Sequence, residues 1–151
     1  MKHKIIKINT DKLFTNITKD IRDFCFSQDN KCGLINIFSK HTTCCVKILE
    51  DELLHKADVR FFLDKVAPRW KEPEGDQNNI KYLHDLISLR NDCPVDEPIN
   101  GHSHIRSLFF NSSETIPVLN GIPMIGKWQS IFIIELDPLR DREILLSFIE
   151  G

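Results

Sequence analysis

The run Ser130-Ile131-Phe132-Ile133-Ile134-Glu135-Leu136 is the feature that most constrains this chain. It is short, rich in β-branched and aromatic residues, and does not alternate apolar with polar. That pattern predicts a strand covered on both faces. Its surroundings read as sheet. Thr115 to Leu119 is a strand, Asn120-Gly121 is a hairpin signal, and Ile122 to Ile125 is the returning strand. Pro123 marks that return as an edge or irregular strand. Asp137-Pro138-Leu139-Arg140 turns the chain, and Ile144 to Ile149 closes the sheet.

The first half alternates strands with helices. His3 to Ile8 places Ile6 and Ile8 around Lys7, a half-buried strand. Thr15 and Asn16 offer N-cap oxygens to a helix that runs to about Ser27, with Ile17, Ile21, Phe24 and Cys25 on one face. Leu34 to Ser39 and Cys44 to Leu49 are strands. Asp51 or Glu50 opens a second helix with the stripe Leu54, Ala57, Phe61, Phe62 and Val66, stopped by Pro68. Residues 69–80 are loop-like, and Leu86 to Leu89 is ambiguous. Asn91 to Pro94 and Glu97-Pro98 form a second loop. A third helix carries Ile105, Leu108 and Phe109, capped by Asn100 or Ser103 and ended by Ser112-Ser113. The class is α+β: a single compact domain over 1–151, with an antiparallel-rich or mixed β-sheet and two or three helices.

Composition narrows the function. A length of 151 residues with 41% hydrophobic residues is enough for one core. The net charge of -2 and scattered Lys and Arg give no electrostatic case for nucleic acid. No apolar run approaches the roughly 20 residues of a spanning helix, so no membrane partner is expected. The five cysteines show no CxxC spacing and read as reduced thiols in a cytoplasmic protein. Cys44 and Cys45 are expected on opposite strand faces.

Three segments carry matching polar chemistry: Lys40-His41-Thr42-Thr43, Tyr82-Leu83-His84-Asp85, and His102-Ser103-His104 with Asn111 to Val118 after it. On a helix, positions 102 and 104 diverge, so His104 alone is expected to face inward. Taken in isolation it reads first as a helix-start histidine satisfied by backbone carbonyls. His41 is a ligand or general base at a strand end, or an ordinary loop histidine. Asp85 sits beside His84 and more readily acts on a third group than on its neighbour. Glu50 is a candidate carboxylate, or a charge complementing a helix dipole. Ser112, Ser113 and Thr115 are candidate phosphate donors or simply a turn. Trp128, in Gly126-Lys127-Trp128-Gln129, either walls a flat substrate or fills a core or interface. There is no HExxH, GxSxG, P-loop or GxGxxG. Three histidines on separate segments can still build a metal site with an open position.

Taken in order, His41-Thr42-Thr43, Glu50, Tyr82-x-His84, Asn100-Gly101-His102-Ser103-His104-Ile105, Ser112-Ser113-x-Thr115-Ile116-Pro117-Val118, Gly126-Lys127-Trp128-Gln129 and Asp137-Pro138-x-Arg140 resemble the YjbQ family, also called the secondary thiamine-phosphate synthase family. The resemblance spans about residue 5 to the end. It implies a homotrimer of α+β domains and a site on His41, His84 and His104, with a divalent metal, zinc or magnesium. It also implies a reaction that joins a pyrimidine methyl diphosphate to a thiazole phosphate and expels pyrophosphate. Glu50 or Asp85 would handle protons, and Asn100, Ser113 and Trp128 would position a phosphorylated heterocyclic substrate. This chain departs from the family pattern at Leu49, His102 and Lys127, which bears on the substrate more than on the existence of a site. The alternative class is a trimeric metabolite- or metal-binding accessory protein without turnover.

Overall fold

The computed structural model describes residues 1–69, 82–93 and 98–151. The loop expected at 69–80 falls, apart from residue 69, outside that set, as does part of the loop before Asn100. The elements run β1 (Lys2–Thr10), β2 (Phe14–Asn16), α1 (Thr18–Phe26), β3 (Gly33–Ser39), β4 (Cys44–Glu50) and α2 (Leu53–Val66). A 3-10 helix (Leu83–Leu89), α3 (Gly101–Ser107), β5 (Ser113–Leu119), β6 (Ile122–Pro123), β7 (Gln129–Glu135) and β8 (Arg140–Glu150) follow.

Two antiparallel sheets form, one ordered β1-β8-β3-β5-β6 and one ordered β2-β7-β4. The run around Ile131 is β7, the centre of the smaller sheet, and residues 131–136 are all buried. One of its faces puts Ile131 and Ile133 into a core with Ile35, Ile37, Ile144, Leu146 and Phe148 of the larger sheet, and with Ile17, Ile21 and Phe24 of α1. Its other face puts Phe132 and Ile134 with Phe14 and with Leu63 of α2. The expected coverage of both faces is therefore real. Cys44 and Cys45 behave as expected too, for Cys44 joins the first core and Cys45 the second. Asn120 and Gly121 have φ of 53° and 76°, the left-handed pair of a tight hairpin. Pro123 lies on β6, the sheet edge, where a missing N–H costs no ladder bond.

Two helices differ from the expectation. Along α2 only Leu63 is buried, while Leu54, Phe61, Phe62 and Val66 of the expected stripe are exposed. The N-cap is Glu52, whose carboxylate accepts from the Leu54 and His55 N–H groups, rather than Glu50 or Asp51. In α3 the expected stripe of Ile105, Leu108 and Phe109 faces out, and the buried residues are Gly101, His102 and Ser103. A polar face packs inward here because the residues it meets are themselves polar: the Ser103 hydroxyl donates to the Leu136 carbonyl. No helix among the described residues is long and apolar enough to cross a membrane.

Candidate functional site

The antiparallel register of β4 and β7 divides the nominated residues. Glu50 pairs with Gln129 at one end, and Cys44 pairs with Glu135 at the other. Six residue steps at about 3.4 Å separate those ends by roughly 20 Å. Glu50 and Trp128 thus stand at the far end of the small sheet, both exposed, with the Lys127 ammonium 4.8 Å from the Trp128 ring centre. Ser113 opens β5 opposite Phe38 and is half-buried. The Glu135 end gathers the polar chemistry.

There the 3-10 helix and α3 meet. Gly101 has no Cβ because none fits: one would lie 2.5 Å from Tyr82 Cβ and 2.7 Å from Asp85 Oδ1. That closeness lets the Gly101 N–H donate to Asp85 Oδ1 at 2.8 Å. Beside it, Asn100 Nδ2 donates to Asp137 Oδ2 at 3.1 Å. The His84 and His104 rings lie edge to face, 4.3 Å between centres. Asp85 and Asn100 are buried. Among the described residues four buried side-chain atoms have no hydrogen-bond partner, and three of them are His84 Nε2, Asp85 Oδ2 and Asn100 Oδ1. Each of the two oxygens belongs to a side chain already fixed by its other atom. An unsatisfied buried acceptor costs about 1–3 kcal/mol, so this concentration points to a partner that the described residues do not supply.

His102, rather than His104, is the inward histidine of α3: it is 6% exposed, whereas His104 is half-buried. Burial, followed by the positive charges of Arg106 and Arg69, pushes its pKa down to about 4, so the ring is neutral at pH 7. Ser103 Oγ lies 3.2 Å from His102 Nε2, and its own proton goes to Leu136. The imidazole therefore carries its proton on Nε2 and keeps a lone pair on Nδ1.

Between His102 and His41 lies a buried ion pair. Arg142 donates to Glu135 Oε1 at 2.7 Å and also bonds Oε2, while Thr10 Oγ1 donates to Oε2 at 2.8 Å. Glu135 lines a cavity with His102, and Arg142 lines another with His41 and Lys40. His41 Nε2 accepts the Glu143 N–H at 3.1 Å. Burial and then Arg142 lower its pKa. Sequence reasoning left Glu135 and Arg142 unassigned. The signal was present, since one carboxylate inside an otherwise apolar buried strand demands a cation.

The structure thus brings His84, Asp85, Asn100 and His104 together, places His41 at the same end beyond the ion pair, and leaves Glu50 and Trp128 far away. Among the described residues no three His, Cys, Asp or Glu groups stand close enough to hold a metal ion.

The comparisons with known proteins agree with this architecture. A family model described as UPF0047 protein YjbQ-like matches residues 3–151. The chain belongs to the YjbQ/UPF0047 family. It is 31% identical over 132 residues to a UPF0047 protein of Methanothermobacter thermautotrophicus, covering 87% of this chain and 79% of that one. Two crystal structures share the fold. The hypothetical protein APE1520 of Aeropyrum pernix K1 has a TM-score of 0.80 at 21% identity, with 100% of both chains covered. A YbjQ-like protein of Sulfolobus solfataricus P2 has a TM-score of 0.79 at 22% identity, covering 99% and 97%. For this YjbQ-family chain the ordered motifs from His41 to Arg140 were therefore a sound guide to family and to α+β fold.

Proposed function

We propose that this YjbQ-family chain is an enzyme of the secondary thiamine-phosphate synthase type, acting on a phosphorylated heterocycle at the end of the small sheet where the 3-10 helix meets α3. The observation that carries this reading is the set of partnerless buried atoms on His84, Asp85 and Asn100, all near one helix junction. Two acceptor oxygens held by bonds to Gly101 and Asp137 suit the N–H donors of an amino-substituted ring. In the reaction, a thiazole nitrogen attacks the pyrimidine methylene carbon. The carbon–oxygen bond to diphosphate breaks, and pyrophosphate leaves with the electron pair. Asp85 and Asn100 orient the pyrimidine, and the His84–His104 pair borders the reacting carbon.

Assembly as a homotrimer is part of the proposal. Leu54, Phe61, Leu83, Leu108 and Phe109 are exposed apolar side chains on α2, the 3-10 helix and the end of α3, where Phe62 and Phe109 meet edge to face, and a second copy could cover them. A metal, if one binds, would need a ligand beyond His84 and His104 of one chain. A cytoplasmic setting suits the buried thiols of Cys25, Cys44 and Cys45.

The test is product formation from a pyrimidine methyl diphosphate and a thiazole phosphate, by wild type, Asp85→Asn and His104→Ala. The reading expects turnover by wild type and its loss in both variants with the circular-dichroism spectrum and melt retained. Binding without turnover in wild type would instead establish the accessory-protein alternative. Variants that unfold and touch no ligand would make these residues structural.

A further inference from the structure

A cavity of about 320 Å³ lies beside the ion pair, lined by Arg60, Arg69 and Arg106 together with His102. Arg60 and Arg69 are exposed and Arg106 is half-buried, and the same wall holds three carboxylates, Asp11, Asp64 and Glu135. Two of these carboxylates are already engaged. Arg106 donates to the Ala67 carbonyl at 2.8 Å and to Asp64 at 2.7 Å. Glu135, also in the wall, is taken up by Arg142 from behind. Arg60 lies over the Phe14 ring, 5.2 Å from its centre. Asp11 is the remaining acidic wall residue, and it is exposed. A guanidinium has five N–H donors, so the two bonds of Arg106 leave it capacity toward the cavity.

We infer that this cavity is a phosphate subsite, in which Arg60, Arg69 and Arg106 grip a phosphate or diphosphate group. Guanidinium forks match phosphate oxygens bidentately, and three of them suit a group carrying two or three charges. His102 supports the assignment without carrying it. It is buried in the same wall, and Arg106 and Arg69 add to the burial that keeps it neutral. The cationic groups of this wall are therefore the three arginines alone. The inference deepens the proposed reaction, because it names where the leaving diphosphate would sit, in a cavity that α3 lines through His102 and Arg106.

Calorimetric titration of the full chain with inorganic pyrophosphate, and separately with orthophosphate, tests this directly. Wild type should bind pyrophosphate, more weakly at high salt. Arg69→Gln should bind it at least about tenfold more weakly, the worth of one charge-assisted contact. Asp11→Asn, which removes an opposing carboxylate at an exposed position, should bind it more tightly, and a gain of affinity cannot come from misfolding. Absence of heat with wild type, or one affinity shared by all three proteins, would overturn the subsite. Asp85→Asn separates the two claims: its pyrophosphate affinity should equal that of wild type although turnover is lost. Pyrophosphate binding by a protein that turns over no heterocyclic diphosphate would leave the subsite standing and remove the proposed reaction.

Discussion

Acid should weaken this protein through His102, and the size of the effect can be worked out. An unfolded histidine titrates at 6.5, and the folded His102 at about 4. Between those values the unfolded chain binds a proton that the folded one refuses. Stability from this residue is therefore complete above pH 6.5 and is lost as pH falls toward 4. The slope approaches about 1.4 kcal/mol per pH unit, and the whole effect is about 3 kcal/mol. Other groups titrate in the same range, among them His41, whose pKa is also lowered. Comparing wild type with His102→Gln cancels them to first order. Urea unfolding at fixed protein concentration, at pH 7.5, 6.5, 5.5 and 4.5, should show wild type losing roughly 2 kcal/mol more than the variant between pH 6.5 and 4.5. Fixed concentration matters because self-association shifts apparent stability. Parallel pH dependences in the two proteins, or a His102 imidazole titrating near 6.5 by NMR, would refute the burial-and-arginine account.

Three further outcomes are expected. Leu63→Ala should cost about 2–5 kcal/mol in urea unfolding, because Leu63 is the buried residue of α2, whereas Leu54→Ala should stay within about 0.5 kcal/mol for the dissociated chain. Gly101→Ala should destabilise by about 1–3 kcal/mol and abolish ligand binding, since its Cβ would collide with Tyr82 and displace Asp85; calorimetry with the pyrimidine diphosphate reads the second effect. Zinc measured per chain in tag-free protein should be well below one for both wild type and His104→Ala, as expected where the described residues of one chain gather no three ligands; near-stoichiometric zinc lost in the variant would show that the His84–His104 pair is completed from outside those residues.

The sheet was legible in the sequence because its signals are local. The unbroken apolar run of β7, the Asn120-Gly121 pair and Pro123 each state a backbone requirement that no distant residue can overrule. The face of α1 was legible as well, through Ile17, Ile21, Phe24 and Cys25, but the faces of α2 and α3 were not. The stripe through Leu54 and Phe61 has sound helical spacing, yet the small sheet receives α2 through Leu63 and the partly buried Val59 instead. Spacing shows that a helix has an apolar side, not which side the rest of this chain covers. The same limit misplaced the inward residue of α3. Its buried face is set by Leu136 and Asp85, which are distant in sequence, so the polar His102 went in and Ile105 stayed out. The convergence of His84, Asp85, Asn100 and His104 was readable as a pattern of ordered motifs. The separation of Glu50 and Trp128 from them depends on the β4–β7 register, which the motifs do not encode.

The central claim is that ligand binds where the 3-10 helix meets α3. The most direct measurement is an imidazole ¹H–¹⁵N correlation spectrum of the six histidines, recorded with and without a pyrimidine methyl diphosphate. The account predicts shifts at His84, His102 and His104, with His3 and His55 unmoved. Shifts confined to His3, His41 or His55, or no shift under saturating ligand, would contradict it.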